Sequence, residues 1–288
     1  LPIRPLTTDA DRETAVRLLA EGFPARGAPG WRSYLDRLER MGGNVAAGVP
    51  HGYLMSEGDT AVGVMLTPAS LREDPTGEPA RVVNLSSWYI TPPHRWRATM
   101  MMQSVLRRHE AMFTDLTPTP EVCAMLPAFG FVPINDGVVV STLPVAALLP
   151  GNRTKTRDLL DDDLATLPSE LRRRLVLHRD FGCIAAAIVG DGEMLPFLVR
   201  PRPLKGLPAA KLIYCPDMSR LQAAMPAVAR YLIGYGVGLL ITDSVGQKLS
   251  PWQAHRQRGL KFAKPGAGLA PEPGLIDHTG SELVLMDY

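Results

Sequence analysis

The sequence predicts an α/β (α+β) protein of two tandem domains, each a mixed, mostly antiparallel sheet flanked by helices. Three observations carry this expectation. The chain has 288 residues, roughly twice the usual domain of about 150. Its composition, 45% hydrophobic and 21% charged, is that of a globular chain with a sizeable core. A hairpin followed by strand, helix and strand is read twice, over 51–117 and in shortened form over 183–243, with little residue identity between the two.

In the first domain, residues 1–149, a short strand covers 3–6 and Thr8-Asp9-Ala10-Asp11 fits a capping box opening a helix that ends near Gly22. A second helix carries Trp31, Leu35, Leu38 and Met41 on one face and stops at Gly42-Gly43. A hairpin follows, 51–56 and 61–67 around Glu57-Gly58-Asp59, and then a loop over 68–80 rich in proline, glycine and charge. The strand at 81–91 runs into Pro92-Pro93, which cannot continue a ladder. A helix over 97–111, a strand over 113–117, a short helix over 121–126 and a closing strand over 137–143 complete the domain. Residues 150–156 read as a linker. In the second domain, residues 150–288, a helix at 169–178 precedes a hairpin, 183–189 and 194–200, around Gly190-Asp191-Gly192. A strand at 211–214, a helix at 219–233 and a strand at 238–243 follow.

Several function classes are set aside by composition and spacing. A net charge of +2 gives no field that calls for nucleic acid or an anionic membrane. Three dispersed cysteines make neither a disulfide framework nor a Cys-rich zinc site, and the six histidines lack metal-ligand spacing, so no metal is expected. The uncharged stretch 231–242 is too short and too glycine-rich to cross a bilayer, and no basic segment followed by an apolar run opens the chain, so cytoplasm is the expected compartment. Gly234-Tyr235-Gly236-Val237-Gly238 ends a helix and precedes a strand, the reverse of a dinucleotide loop. Asp161-Asp162-Asp163 reads as a solvated helix cap and Arg172-Arg173-Arg174 as a wet helix face.

The segment Ile90-Thr91-Pro92-Pro93-His94-Arg95-Trp96-Arg97-Ala98-Thr99-Met100 resembles the pyrophosphate loop of the GNAT acyl-CoA acyltransferase superfamily. There a central strand ends at a proline, and an Arg/Gln-x-x-Gly-x-Gly/Ala turn opens the next helix. Phe129-Gly130-Phe131 is similar to the Gly-Phe signature of the same superfamily, and element order agrees over about 1–143. The second half resembles the fold more loosely, as in tandem GNAT proteins. The resemblance implies acetyl-CoA or another acyl-CoA as co-substrate, held by Ile90, Arg95, Trp96, Arg97, Ala98, Thr99 and Met100. The physical logic is a helix N-terminus whose amides and partial positive charge favour a diphosphate. Arg95 alone stands as the pattern asks: Ala98 replaces the first glycine, Met100 stands where Gly or Ala is usual, and Leu126 occupies the usual place of a thiolate-protonating tyrosine. No such turn follows Tyr214-Cys215-Pro216-Asp217-Met218-Ser219-Arg220, so coenzyme is expected in the first half, with the second completing a substrate cleft or a homodimer surface.

Strand alternation sends Asn84, Ser86 and Trp88 to one face of the 81–91 strand and Ser87 and Tyr89 to the other. Ser87 and Tyr89 are the candidates on the acyl-transfer strand, where the resemblance implies a freed backbone N–H able to polarise a thioester carbonyl. Asp115, on the next strand, is the carboxylate placed to accept a proton from an amine, or else a residue at a sheet edge. His94 reads as a solvated turn residue and His109 as a packed one on an apolar helix face. Met100, Met101 and Met102 either line an acyl channel or pack in the core. The expected function is transfer of an acyl group from acyl-CoA to a small-molecule amine by direct attack. The alternative is a non-catalytic binding or scaffold protein of the same shape.

Overall fold

The structure, a computed structural model, describes residues 1–286 apart from 75, 152, 191, 267–268 and 272–276. Asp191 of the expected Gly190-Asp191-Gly192 turn and residue 152 of the expected 150–156 linker thus lie outside the described residues. The chain divides into two compact units, the first made of Leu1–Ile134, Lys261–Ile276 and Gly280–Asp287, the second of Asn135–Leu260 with Asp277–Thr279 and Tyr288.

The first unit contains β1 (Ile3–Pro5), β2 (Gly52–Glu57), β3 (Thr60–Leu66), β4 (Ala69–Glu73), β5 (Pro79–Asn84), β6 (Ser86–Ile90), β7 (Met112–Asp115) and β8 (Val132–Pro133). The capping box forms as expected: Asp11 N–H donates to Thr8 Oγ1 at 3.1 Å, and Thr8 N–H donates to the Asp11 carboxylate at 3.2 Å. It opens the helix Asp9–Gly22. The helix Gly27–Met41 buries Trp31, Leu35, Leu38 and Met41, and Gly42, at φ 66°, caps it. This is a position where the left-handed conformation suits glycine.

Residues expected as a loop at 68–80 form instead a hairpin of their own, β4 against β5, in a different sheet from β2 and β3. Asp74 supplies the turn, its Oδ1 accepting from Thr76 N at 2.8 Å and Glu78 N at 2.9 Å. The expected strand at 81–91 is consequently two, β5 and β6, which separate at Leu85. β5 runs parallel to β7 in one sheet, in the order β4-β5-β7-β16-β8 with β16 spanning Phe262–Lys264, whereas β6 is the edge of another, β1-β2-β3-β6.

The second unit holds β9 (Gly137–Thr142), β10 (Lys155–Asp158), β11 (Ile184–Gly190), β12 (Glu193–Pro201), β13 (Ala209–Tyr214), β14 (Leu239–Ser244) and β15 (Gln253–Arg256). They form one sheet in the order β10-β11-β12-β13-β14-β9-β15. The segment expected to close the first domain, β9, pairs here between β14 and β15, so the units do not part at the expected 149/150. In exchange, β16 (Phe262–Lys264) joins the first unit, between β7 and β8. An apolar alternation such as Val138-Val139-Val140 fixes a strand and its faces but not the sheet that receives it. Met218–Ala223 and Met225–Gly234 are two helices where one was expected, parted at Ala224 just ahead of Pro226. Leu143, Phe197, Leu212, Val228, Leu232 and Leu240 belong to the core between this sheet and its helices.

Candidate active site

In the first unit the parallel ladder between β5 and β7 ends at the pair Asn84–Thr114. One further bond, Leu85 N–H to the Thr114 carbonyl at 2.7 Å, closes it. Beyond that point the two strands part company. Along β6 the register against β3 runs from Leu66–Ser86 to Val64–Tyr89, so β6 carries one residue more than its partner. This is a β-bulge, and Ser87 takes the strain at φ 48°. β6 pairs with β3 along one edge, and no described strand pairs with its other edge. The bulge also alters the expected alternation. Ser86 and Ser87 hydroxyls lie 3.2 Å apart, where strict alternation would set them on opposite faces, and Tyr34 OH lies 3.1 Å from Ser86.

The expected site residues do not all converge. Tyr89 donates its hydroxyl to Glu21 at 2.8 Å, and its ring lies against Gly22, where an added Cβ would come within 2.3 Å. Among the described residues no hydrogen bond joins Tyr89 or Ser87 to Asp115. Asp115 ends β7, 8% exposed. Burial, and then the neighbouring Glu282 charge, push its carboxyl up to about 8. The shift favours the neutral acid over the carboxylate that a proton acceptor needs.

Glu282 was not foreseen. Thr117 donates its hydroxyl to Oε1 at 2.7 Å and Asn84 donates its amide to Oε2. Asn84 in turn accepts the Thr114 hydroxyl at 3.2 Å. Glu282 is thus tied to residues flanking the point where β6 and β7 diverge. Lys261, 3% exposed, adds a positive charge that acts on it. The signal that could have found Glu282 is one acid beside the apolar run Leu283-Val284-Leu285, all buried.

At the far end of β6, Ile90 is buried. Pro92–Arg97 forms a 3-10 turn that passes directly into the helix Ala98–Leu106. This differs from a helix opening at Arg97, because Ala98 N–H is already bonded to the Arg95 carbonyl. No side chain caps either start. Arg95, Trp96 and Thr99 are exposed, while Arg97, Ala98 and Met100 are half-buried. The Arg97 guanidinium stacks on Trp96, 4.2 Å from the ring centre. Arg97 Nε and Trp88 Nε1 are buried donors without a hydrogen-bond partner among the described residues, an arrangement that calls for a ligand or water. Met101 and Met102 are fully buried core residues, as is Leu126. His94 bridges Thr91 and Glu57 at 2.9 Å each, and His109, beyond the helix, meets Tyr53 OH at 2.5 Å. Gly130, at φ 81°, turns the chain so that Phe131 enters the core.

The order of strands and helices that surrounds the divergence, the bulge and the uncapped helix start has counterparts among solved structures. The Eis1 protein of Mycobacterium abscessus superposes with a TM-score of 0.54 at 13% identity, over 92% of this chain and 73% of that one. A GCN5-related N-acetyltransferase from Anabaena variabilis gives 0.58 at 8% identity, over 91% and 72%. One from Kribbella flavida gives 0.52 at 13%, over 91% and 70%. This chain has the GNAT fold. No protein-family model and no curated relative matches the sequence.

The second unit repeats the divergence with different contents. β13 and β14 are parallel as far as the pair Lys211–Ile241, and β13 gains one residue between Leu212 and Tyr214 relative to β12. Here the extra residue is covered, because His278 N–H donates to the Ile213 carbonyl at 3.0 Å. Asp243 bridges Lys211 Nζ at 2.5 Å and His278 Nε2 at 2.7 Å. The helix after β13 is capped by Asp217, whose carboxylate accepts from Arg220 N at 2.9 Å.

Proposed function

We propose that the first unit transfers an acyl group from an acyl-CoA, acetyl-CoA or a longer homologue, to the amine of a small molecule. The observation that supports this most is the free edge of β6, bulged at Ser87 and leading to an uncapped helix start that carries Arg95 and Arg97. In this reading Arg95, Arg97 and the amides of Thr99 and Met100 hold the diphosphate, and Arg97 Nε gains the acceptor it lacks. The pantetheine arm runs along Ser86–Ile90 as an added strand, exchanging hydrogen bonds with the exposed edge. An amide at the bulge stabilises the oxyanion as the amine attacks the thioester carbonyl directly. Positioning of the two substrates supplies much of the rate. The acceptor is an amine able to approach without its proton.

Thiol release from acetyl-CoA across an amine panel, together with a melting-temperature rise in millimolar coenzyme A, tests the proposal. At a hundred times Kd, binding would add about 2.7 kcal/mol of stability. A melting temperature that does not move contradicts it. One observation favours a second reading, a binding protein without turnover: Leu126 is buried with no ionisable group, and Met100 stands where the resemblance asks for Gly or Ala. Coenzyme binding with no thiol release would select that reading.

A further inference from the structure

Three hydroxyl groups form a chain that ends at the bulge of β6. Tyr34 OH lies 3.1 Å from Ser86 Oγ, and Ser86 Oγ lies 3.2 Å from Ser87 Oγ. Tyr34 is 0% exposed and Ser86 4%, while Ser87 is half-buried, so of the three Ser87 is the one open to a ligand. The bulge makes this chain. On a regular strand Ser86 and Ser87 would face opposite ways, and their hydroxyls meet where Ser87 takes the left-handed φ of 48°. With the phenol, the most acidic of the three, as first donor, the bonds run Tyr34 to Ser86 to Ser87. Ser87 then keeps its own hydrogen for a partner outside the chain. Tyr89 donates to Glu21 instead, and Leu126, where the resemblance asks for a tyrosine, carries no transferable proton.

We propose, on the reading of this unit as an acyltransferase site, that the Ser87 hydroxyl carries the proton of the attacking amine to the departing sulfur, with Ser86 and Tyr34 as positioning residues. A diphosphate held at the helix start after Ile90 sends the pantetheine arm back along β6. Its thioester end then reaches Ser86–Ser87, roughly 13 Å away along the strand. The step balances. The amine nitrogen bonds to the carbonyl carbon, whose oxygen takes up negative charge at the bulge amide. As the C=O bond re-forms, the C–S bond breaks. Ser87 Oγ gives its hydrogen to sulfur and takes one from the ammonium nitrogen. Free thiol, amide and an unchanged serine result, and no side chain ends with a new charge. The hydrogen bond from Ser86 holds Oγ in place and stabilises it when its proton leaves ahead of the incoming one.

The test is steady-state thiol release from acetyl-CoA by the full chain, with coenzyme A affinity from calorimetric titration beside it. Glycine suits φ 48°, so Ser87→Gly removes the hydroxyl without loss of folding. It should lose about 100-fold in kcat, with KM for acetyl-CoA and coenzyme A affinity within about 3-fold of the wild type. Ser87→Cys, which keeps a transferable proton, should recover about 10-fold of that loss. Tyr34→Phe should lose about 5-fold in kcat alone and nothing more when added to Ser87→Gly, since it acts through that hydroxyl. Wild-type kcat in Ser87→Gly, or a Ser87→Cys no faster than Ser87→Gly, overturns the shuttle. A Tyr34→Phe loss that persists in Ser87→Gly is a packing effect and overturns the positioning role. Each of these leaves the acyltransferase reading standing. A wild type that releases no thiol overturns that reading and the shuttle with it.

Discussion

The two units share a design and differ in whether it is left open. Each carries a parallel strand pair that ends early, a bulge just past its end, and a helix following the bulged strand. In the first unit no described strand pairs with the outer edge of the bulge, and the helix starts without a side-chain cap. In the second, a backbone N–H covers Ile213, the Lys211–Asp243–His278 cluster spans the divergence, and the Asp217 carboxylate occupies the helix start. A carboxylate there satisfies the amides that a phosphate would use and repels the phosphate as well. The same layout is thus closed by its own side chains in one unit and left with an edge that no described strand pairs in the other.

The comparison is broken most directly at the first unit's helix start. Removing both guanidinium groups, Arg95→Ala with Arg97→Ala, should weaken coenzyme A binding by about 10–100-fold in calorimetric titration, as expected for charge-assisted contacts. The same pair of changes should leave the melting temperature of the free protein within about two degrees. In the second unit, Lys211→Met should cost about 2–3 kcal/mol in urea unfolding, because it leaves a partly buried carboxylate without its ammonium. Coenzyme affinity should not change.

Backbone strain sharpens the contrast. Ser87→Val should destabilise by about 1–2 kcal/mol, since a β-branched side chain resists φ 48°, while Ser87→Gly should be neutral or stabilising. Proton linkage gives the next effect. Asp115 titrates higher in the folded protein than in the unfolded chain, so its contribution is full below about pH 4 and disappears as pH rises through about 8. Stability measured against pH should fall over that window in the wild type and be flatter in Asp115→Asn. Asp11 has the opposite sign. Burial alone would raise it, but Arg4 and the Thr7 and Thr8 donors hold it at about 2, so stability is lost as pH falls from about 4 towards 2. Asp217→Ala should be smallest, about 1 kcal/mol, with coenzyme binding intact.

Much of the first unit was legible because its signals are local. Thr8 with Asp11, the Trp31-Leu35-Leu38-Met41 stripe and the hairpin turns each specify one element without help from distant residues. The exchange of β9 and β16 was not, because pairing of a short strand is decided by which edge it reaches. Phe262-Ala263-Lys264 has too little pattern to announce a strand at all. At the site, Asp115 was visible as an acid on the strand after the central one, but its ionisation depends on Glu282, which meets Thr117 across 165 positions of sequence. Likewise Tyr89 suggested chemistry by type, whereas its partner, Glu21, lies on a helix that alternation arguments do not place.

The most direct test of the central claim is a crystal structure of the chain soaked in coenzyme A. The account predicts density for a diphosphate against Thr99 and Met100 with Arg95 and Arg97 drawn in, the pantetheine arm along Ser86–Ile90, and nothing at Met218. A diphosphate at the Asp217-capped helix, or a first-unit helix start left empty at saturating ligand, would contradict it.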